Sequence, residues 1–226
     1  MSKQTENELL NVEETLSKWE QKIEENKKSY SIILGAIVAV VAIYFAWTKL
    51  YVAPKEAEAQ SEMFRAERYF SQDSLDKAMF GDGNYLGFND IIENYGVTKS
   101  ANLASYYMGV CYLKKGEYEN AIKYLKNFDS NDQVVAPIAL GAIGDANLEL
   151  GNNDEAIKYY LKAASAGENK FTSPIYLMRA GQTMELAGRY KEAVEVYKKI
   201  KTDYNESTEG REVEKYLARA EAMLNS

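Results

Sequence analysis

Three similar stretches in the second half of the chain decide its fold: YYMGVCYLKKGEYENAIKYL (106–125), ALGAIGDANLELGNNDEAIKYY (139–160) and YLMRAGQTMELAGRYKEAVEVY (176–197). Each stretch has a glycine, a second glycine seven residues later and an alanine five residues after that. The three sets are Gly109, Gly116, Ala121; Gly144, Gly151, Ala156; and Gly181, Gly188, Ala193. Successive copies lie 35 and 37 residues apart, which predicts an array of repeats, each a single supersecondary unit.

The small residues of this pattern predict two packed helices joined by a tight turn. We expect the first glycine and the alanine to face each other, because small residues let two helix backbones approach closely. The second glycine fits the left-handed residue that ends a helix. Pro137 and Pro174, each seven residues before a first glycine, fit a first helical turn. Periodic residues of the second helices are expected to form the core: Ile122, Leu125, Ile157, Tyr160, Val194 and Tyr197.

These stretches resemble the tetratricopeptide repeat (TPR), a helix-turn-helix unit of about 34 residues. The resemblance implies an all-α, TPR-like α-solenoid of about four helical hairpins. After the repeats, residues 208–224 carry one apolar stripe and are otherwise charged. This pattern predicts a C-terminal capping helix with a solvated outer face.

An uncharged run of 20 residues, SYSIILGAIVAVVAIYFAWT (29–48), precedes the repeats. At about 1.5 Å per residue it spans roughly 30 Å, the thickness of a bilayer's hydrocarbon core. Tyr30 at one end, with Trp47 and Tyr51 at the other, fits an aromatic belt. A cleaved signal peptide does not fit, because the run is too long and follows a long acidic-polar segment. We therefore predict a single transmembrane helix over residues 29–51.

Lysines near this span predict its orientation. Lys18, Lys22, Lys27 and Lys28 precede it, whereas Lys49 and Lys55 follow it. The excess before the span places the N-terminus in the cytoplasm and the repeats outside, in the periplasm of a bacterium with two membranes.

The segment before the span has a heptad-like apolar stripe formed by Leu9, Val12, Leu16, Trp19 and Ile23. One interpretation is an interfacial helix continuous with the span, and the other is a docking stripe for another membrane subunit. The chain is thus divided into a cytoplasmic amphipathic tail (1–28), the transmembrane helix (29–51), a membrane-proximal helix with a degenerate first repeat (52–100), three repeats (101–206) and the capping helix (207–226).

Composition excludes several classes of function. A net charge of −7 argues against a basic nucleic-acid-binding surface. The chain has one Cys and no His, which excludes His-containing triads, His-ligated metals and an intrachain disulfide. With no phosphate-binding glycine loop either, we expect no enzyme activity and no cofactor. Cys111 is predicted to be a small buried thiol.

One segment partly matches a calcium-binding loop. DGNYLGFNDIIE (82–93) has Asp at position 1, Asn at 3, Gly at 6, Asp at 9 and Glu at 12. Leu86 at position 5 supplies no ligand, and Asn89 replaces the usual apolar residue at position 8. We therefore expect a turn before a helix rather than a metal site.

The first helices of TPR arrays line a concave face, and the resemblance implies which residues would line it here. We call them the predicted groove: Leu103, Tyr106, Val110, Lys114, Ile138, Gly141, Asp145, Glu149, Ile175, Met178 and Gln182, with Glu185 beyond them. Tyr106 and Val110 occupy places where some TPR proteins hold a peptide carboxylate with Lys and Asn. Such a groove, apolar with a mildly acidic rim, suits an extended or helical apolar segment. Alternatively, the capping or membrane-proximal helix fills this face.

The layout as a whole resembles the YfgM-like ancillary subunits of the bacterial SecYEG translocon. That resemblance implies a single-pass inner-membrane protein that associates with a SecYEG-type channel and a membrane-anchored parvulin-like periplasmic chaperone, and that assists protein export. Unfolded client proteins are a further class of partner it implies. The alternative is a TPR scaffold of another envelope assembly or transport complex.

Overall fold

The computed structural model describes residues 26–225, and every regular element in this range is helical. The chain divides into two units after Pro54, and each is described by itself. The helices are α1 (Lys27–Trp47), α2 (Ala53–Ser71), α3 (Leu75–Phe80), α4 (Phe88–Asn94), α5 (Lys99–Lys114), α6 (Tyr118–Asn127), α7 (Val135–Glu149), α8 (Asn153–Gly167), α9 (Thr172–Leu186), α10 (Tyr190–Asp203) and α11 (Thr208–Leu224). The predicted stripe of Leu9, Val12, Leu16, Trp19 and Ile23 lies outside the described residues.

Helix α1 is apolar on all sides and buries none of its residues within the structure. Ile32 and Val40, for example, are 72% and 66% exposed. A helix of this composition is stable when lipid or protein replaces water around it. Among the described residues it is the one helix long and apolar enough to cross a membrane, and it lies where the sequence predicts a span.

The backbone leaves α-helical geometry just before Pro54. Residues Thr48–Val52 form a π-helix, in which the amide of Ala53 donates to the carbonyl of Thr48 five residues earlier. A proline has no N–H, and in an α-helix its ring clashes with the carbonyl four residues before it, here that of Leu50. The wider π turn accommodates this conflict without ending the helix. Helix α2 therefore begins at Ala53, before the proline.

Helices α2, α3 and α4 form the irregular part of the second unit. The sequence predicts a membrane-proximal helix and a turn before a helix in this part of the chain, but it misses α3, a six-residue helix. Short helices depend on tertiary packing for stability, and α3 buries Ala78 and Met79. Glu56 of α2 binds the start of α5, accepting hydrogen bonds from the Lys99 amide (2.6 Å) and the Ser100 hydroxyl (2.8 Å). A carboxylate at this place also interacts favourably with the helix dipole.

Three helical hairpins follow: α5 with α6, α7 with α8, and α9 with α10. Each first helix also packs against the hairpin or helix before it, and α11 packs on α10 and α9. Pro137 and Pro174 lie buried in the first turns of α7 and α9, as predicted. The all-helical fold is thus an apolar N-terminal helix followed by a helical solenoid.

Glycine ends the first helix of every hairpin in a left-handed conformation. Gly116, Gly151 and Gly188 have φ of +75°, +75° and +73°. After Gly116, the Glu117 amide donates to the Tyr112 carbonyl (2.9 Å), which closes a Schellman turn. The predicted role of the second glycine is therefore confirmed.

The atoms nearest to the first glycine belong to a large side chain of the second helix, and the facing alanine stays a prediction. A Cβ added to Gly144 would meet the Tyr160 ring at 2.6 Å, and one added to Gly181 would meet the Tyr197 ring even more closely. In the first hairpin, Leu125 lies against Gly109. These partners come four residues after the predicted alanine, one turn further along the second helix. The glycine therefore makes room for a large side chain of the second helix.

The second helices contribute large side chains to the core of the solenoid, as their periodicity predicts, and the first helices and α11 complete it. Tyr160 and Tyr197 are among its largest fully buried side chains. Of the other predicted core residues, Leu125, Ile157 and Val194 are buried, and Ile122 packs half-buried against the cluster that contains Leu125.

Candidate interaction surface

The predicted groove positions of α5 face three different environments. Tyr106 and Val110 are half-buried against the core between α6 and α7. Leu103 packs on the core shared by α2, α4 and α5. Lys114 is exposed and pairs with Asp73 (2.7 Å). Of the four predicted groove positions on α5, all but Lys114 are therefore partly covered by neighbouring helices.

The positions on α7 also differ. Gly141 is buried beneath the ring of Tyr176 from α9, whose atoms an added Cβ would overlap. Ile138 is exposed, and Glu149 accepts a hydrogen bond from the Tyr118 hydroxyl (3.4 Å). Gly141 thus joins two hairpins and presents no side chain to a partner.

On α9, Met178 is buried, Ile175 is half-buried and Gln182 is exposed. Met178 belongs to the core that also contains Tyr176 and Leu177. Gln182 is consequently the predicted position on this helix with the most accessible side chain.

Two depressions follow the carboxyl-terminal halves of α5, α7 and α9. One, of about 280 Å³, is lined by Leu113, Tyr118, Asp145, Leu148 and Glu149. The other, of about 380 Å³, is lined by Asp145, Leu148, Tyr160, Arg179, Gln182, Thr183 and Leu186. They share Asp145 and Leu148, and we call them together the first-helix groove. The structure thereby brings together Asp145, Glu149 and Gln182 of the predicted groove.

Asp145 ties three helices together at the centre of this groove. Its carboxylate accepts a hydrogen bond from the Tyr160 hydroxyl of α8 (2.7 Å) and forms an ion pair with Arg179 of α9. Burial and the hydrogen bond to Asp145 raise the pKa of the Tyr160 hydroxyl. The predicted groove residue Asp145 is therefore committed to joining neighbouring hairpins.

The same arrangement recurs one hairpin later with a different acidic position. Glu185 of α9 accepts hydrogen bonds from the Tyr197 hydroxyl of α10 (2.5 Å) and from Arg219 of α11 (2.8 Å). Its side chain is only 10% exposed. This Tyr–carboxylate–Arg set fixes the last helix to the solenoid.

Burial alone would raise the pKa of the Glu185 carboxyl, but the hydrogen bonds from Arg219 and Tyr197 lower it overall. The lowered pKa means that folding is stabilised by this carboxylate above the unfolded-state value of about 4.3, and that the stabilisation is lost as the pH falls through the lower folded-state pKa. We expect Glu185→Gln to be less stable than the wild type at pH 7 and much closer to it at pH 3. Thermal unfolding of both proteins across this range, followed by circular dichroism, measures the difference. A stability difference that does not change with pH would contradict this role.

Sequence reasoning found Tyr160 and Tyr197 as core residues but missed their hydroxyl partners. One sequence signal could have indicated a buried hydroxyl in need of a partner. Two repeats have a tyrosine 16 residues after the first glycine, where the first repeat has Leu125. The acidic partner is one residue after the glycine in one repeat and four after it in the other, so no constant spacing marks it.

In the segment that resembles a calcium loop, the carboxylates accept hydrogen bonds from nearby protein groups. Asp82 accepts hydrogen bonds from the Tyr69 hydroxyl (2.7 Å) and two loop amides, and these hydrogen bonds lower its pKa. Asp90 accepts from the Gly87 amide (3.0 Å) at the start of α4, and Glu93 accepts from the Asn89 side chain (2.9 Å). Within residues 26–225, no group of three or more acidic, His or Cys side chains is placed to hold a metal ion.

The thiol of Cys111 is fully buried in α5, as predicted. Burial raises its pKa to about 12. A thiol of this kind is protonated at neutral pH and is a poor nucleophile.

Comparisons with known proteins agree with this architecture. Tetratricopeptide repeat models match residues 103–131, 138–168 and 176–207. A TPR repeat-containing protein of Methanocaldococcus jannaschii is 26% identical over 122 residues, 54% of this chain, and the chain spans only 21% of that protein's length. The crystal structure of TPR-like repeats from Podosopora anserina, attributed to a kinesin light chain, has a TM-score of 0.56 at 14% identity and covers 75% of this chain and 88% of its own. The structure of a substituted variant of those repeats gives the same values.

Proposed function

We propose that this chain, which matches tetratricopeptide repeat models over residues 103–131, 138–168 and 176–207 and has a helical solenoid fold, is a membrane-anchored, non-catalytic interaction scaffold. Its more specific role is that of an ancillary subunit of a SecYEG-type translocon. There it links the channel to a membrane-anchored parvulin-like chaperone and assists proteins as they leave the channel.

The observation that carries this proposal is the pairing of an exposed apolar helix with a repeat domain in one chain. Helix α1 has no covering protein surface among the described residues. TPR repeats are typically protein-binding scaffolds, and here they follow that helix along the same chain. A scaffold built in this way acts at a membrane surface.

The proposed orientation places the N-terminus in the cytoplasm and the repeats in the periplasm. It rests on the four lysines before the span against two after it. On the cytoplasmic side, the stripe containing Trp19 would contact a membrane subunit, and Trp19→Ala tests that contact.

The first-helix groove supplies the binding chemistry. Leu186 is 69% exposed at one end of the groove, and Leu148 lies half-buried at its middle. Asp145 and Arg179 also line this groove, and their ion pair largely cancels their charges. This surface suits an apolar segment of a partner better than an acidic tail.

The proposal is tested by purifying tagged full-length protein from its own membranes in mild detergent and quantifying the co-purifying proteins by mass spectrometry. We expect channel subunits and a periplasmic isomerase to be enriched. Leu186→Asp should reduce the enrichment of a groove-bound partner about tenfold, because an interface anchor is replaced by a charge. Leu224→Asp is the matched control, since Leu224 is 49% exposed on α11, outside the groove.

Enrichment of a different envelope complex, with neither the channel nor the isomerase, would refute the translocon assignment. The alternative function, a TPR scaffold of another envelope assembly or transport complex, would then take its place. Equal enrichment with Leu186→Asp and the control would refute the groove as the binding surface.

A further inference from the structure

One edge of the solenoid is formed by the loops that precede the first helices, and hydrogen bonds connect these loops in a row. At its beginning, Glu56 of α2 binds the start of α5. The side chain of Asn102 on α5 exchanges two hydrogen bonds with the backbone of Asp129 (2.7 and 2.9 Å). The Asn169 side chain then donates to the carbonyl of Gln133 (2.8 Å). We call three of these loops the loop edge: residues 95–98, 128–134 and 168–171.

Each loop of this edge carries an exposed apolar side chain just before a first helix begins. Val97 is 47% exposed, Val134 46% and Phe171 80%, and we call them the three tips. Val134 and Phe171 have equivalent places in their repeats, three residues before the buried proline. In the described chain, the turns at the opposite edge have no exposed large apolar side chain: residues 115–117, 151–153 and 188–190. Apolar tips therefore recur along one edge of the solenoid.

The backbone amides at two of the tips are already hydrogen-bonded within their loops. Asp132 accepts hydrogen bonds from the amide of Val134 and from the next amide (both 2.8 Å). Asn169 accepts hydrogen bonds from the amide of Phe171 (2.8 Å) and from the next amide (2.7 Å). A paired polar group costs less free energy to remove from water than an unpaired one. These two tips can therefore enter an apolar phase without leaving their own amides unpaired.

Chain connectivity limits how far the start of this edge can lie from the membrane. The predicted span ends at Tyr51, and Glu56 follows five residues later. Five residues reach at most about 18 Å, even when they are fully extended. Because Glu56 binds the start of α5, the first loop of the edge lies close to the bilayer surface whatever the conformation of the intervening residues.

We propose that the loop edge rests on the bilayer that α1 spans, with Val97, Val134 and Phe171 in the interfacial region of the lipid. This inference rests on the membrane anchor of the proposed function, but not on the translocon assignment or on the side of the membrane that carries the repeats. Apolar and aromatic side chains are stable in the interfacial region. Three of them bind weakly by themselves, but the anchor raises their effective concentration at the bilayer, so a weak contact is sufficient.

The charges beside the tips favour a lipid surface without net charge. Asp129, Asp132 and Glu168 are exposed in two of the loops, where they outnumber the exposed Lys170. An anionic headgroup would repel this excess of carboxylates. The contact therefore depends on apolar side chains, and the lipid that it fits is zwitterionic, such as phosphatidylcholine.

The experiment compares how close the two edges lie to lipid. A fluorophore is attached to Gln133→Cys on the loop edge or to Asn152→Cys at the opposite edge. Both replaced amides are exposed, whereas the native Cys111 is buried and should take no label. The full-length protein is reconstituted into phosphatidylcholine vesicles that carry a nitroxide quencher on the lipid headgroup.

We expect the label at Gln133→Cys to be quenched about threefold more strongly than the label at Asn152→Cys. The reason is distance, because α7 lies between the two positions and its 15 residues extend about 22 Å at ~1.5 Å per residue. Adding the anionic lipid phosphatidylglycerol should weaken the quenching at Gln133→Cys.

Replacing two tips tests their role directly. Val134→Ser with Phe171→Ser, in the Gln133→Cys protein, should reduce the quenching about threefold, to the level of the opposite edge. Both positions are helix N-caps, where serine is favourable, so the fold should persist. Leu224→Ser is the matched control, since Leu224 is 49% exposed at the far end of α11, and it should leave the quenching unchanged.

Equal quenching of both labels, or stronger quenching at Asn152→Cys, would refute the loop edge as the surface that faces lipid. Unchanged quenching in the serine variant would refute the role of the tips. A label that is shielded from aqueous iodide in the protein's own membranes, yet unquenched in lipid vesicles, would show that another protein covers this edge. Loss of the protein from the vesicles in an alkaline carbonate wash would refute the membrane anchor itself, whereas an anchored protein with an unquenched label refutes only this inference.

Discussion

Gly181→Ala is expected to destabilise the solenoid by about 2–3 kcal/mol, although alanine is the better helix former. The added Cβ would lie 2.8 Å from one Tyr197 ring atom and closer still to another. The ring cannot move away easily, because it is fully buried and its hydroxyl is held by Glu185. The helices must therefore separate. Thermal unfolding of the full-length protein in mild detergent should show a fall in Tm of about 4–10 °C for a chain of this size.

The matched control is Gly35→Ala. Gly35 is also helical, but a Cβ added there meets no atom within 4 Å. Its substitution should leave the unfolding of the repeats unchanged. A Gly181→Ala protein as stable as the wild type would show that Tyr197 can shift, and would contradict the close packing inferred for this hairpin.

Glu185→Ala is expected to have an effect of similar size, about 2–3 kcal/mol, by a different mechanism. The substitution removes the acceptor of the buried Tyr197 hydroxyl and the partner of Arg219. Arg219 is 57% exposed, so water can solvate its charge, but the tyrosine hydroxyl has no such access. Helix α11 should consequently loosen first. Amide hydrogen exchange resolved by mass spectrometry should show faster exchange in α11 than in α7.

Glu195→Ala is the control for the loss of a glutamate from the same domain. Glu195 is exposed and forms no ion pair within 4 Å among the described residues. It should change neither the stability nor the exchange of α11. Uniformly faster exchange across all helices in Glu185→Ala would mean that the carboxylate stabilises the whole solenoid and does not specifically fix α11.

The sequence predicts most of the fold because each repeat carries local signals. The φ values of Gly116, Gly151 and Gly188 follow from a requirement of the turn itself, which only residues close in sequence create. The apolar run of α1 likewise reflects its own composition. Helix α3 gives no such signal, because its six residues are helical through the packing of Ala78 and Met79.

The candidate site is less predictable, because its residues come from different repeats. The sequence predicts Asp145 in the groove, but its role follows from Tyr160 and Arg179, which are 15 and 34 residues away. The sequence also predicts that Gly141 lines the groove, yet Tyr176 of the next hairpin covers it. Both outcomes depend on the angle by which each hairpin is rotated relative to its neighbour. The repeat period gives the length of each repeat but does not determine this angle.

The sequence by itself thus determined an apolar helix long enough for a membrane, the register of the three hairpins, and the glycine turns that end their first helices. These features depend on composition, period and backbone conformation, which are local properties. Only the tertiary structure decided that Leu125, Tyr160 and Tyr197 lie closest to the first glycines, and that Arg179 and Arg219 join successive elements of the solenoid. Side-chain partners across helices are chosen by packing geometry, because many residues of suitable size and charge lie within reach of each position along the chain.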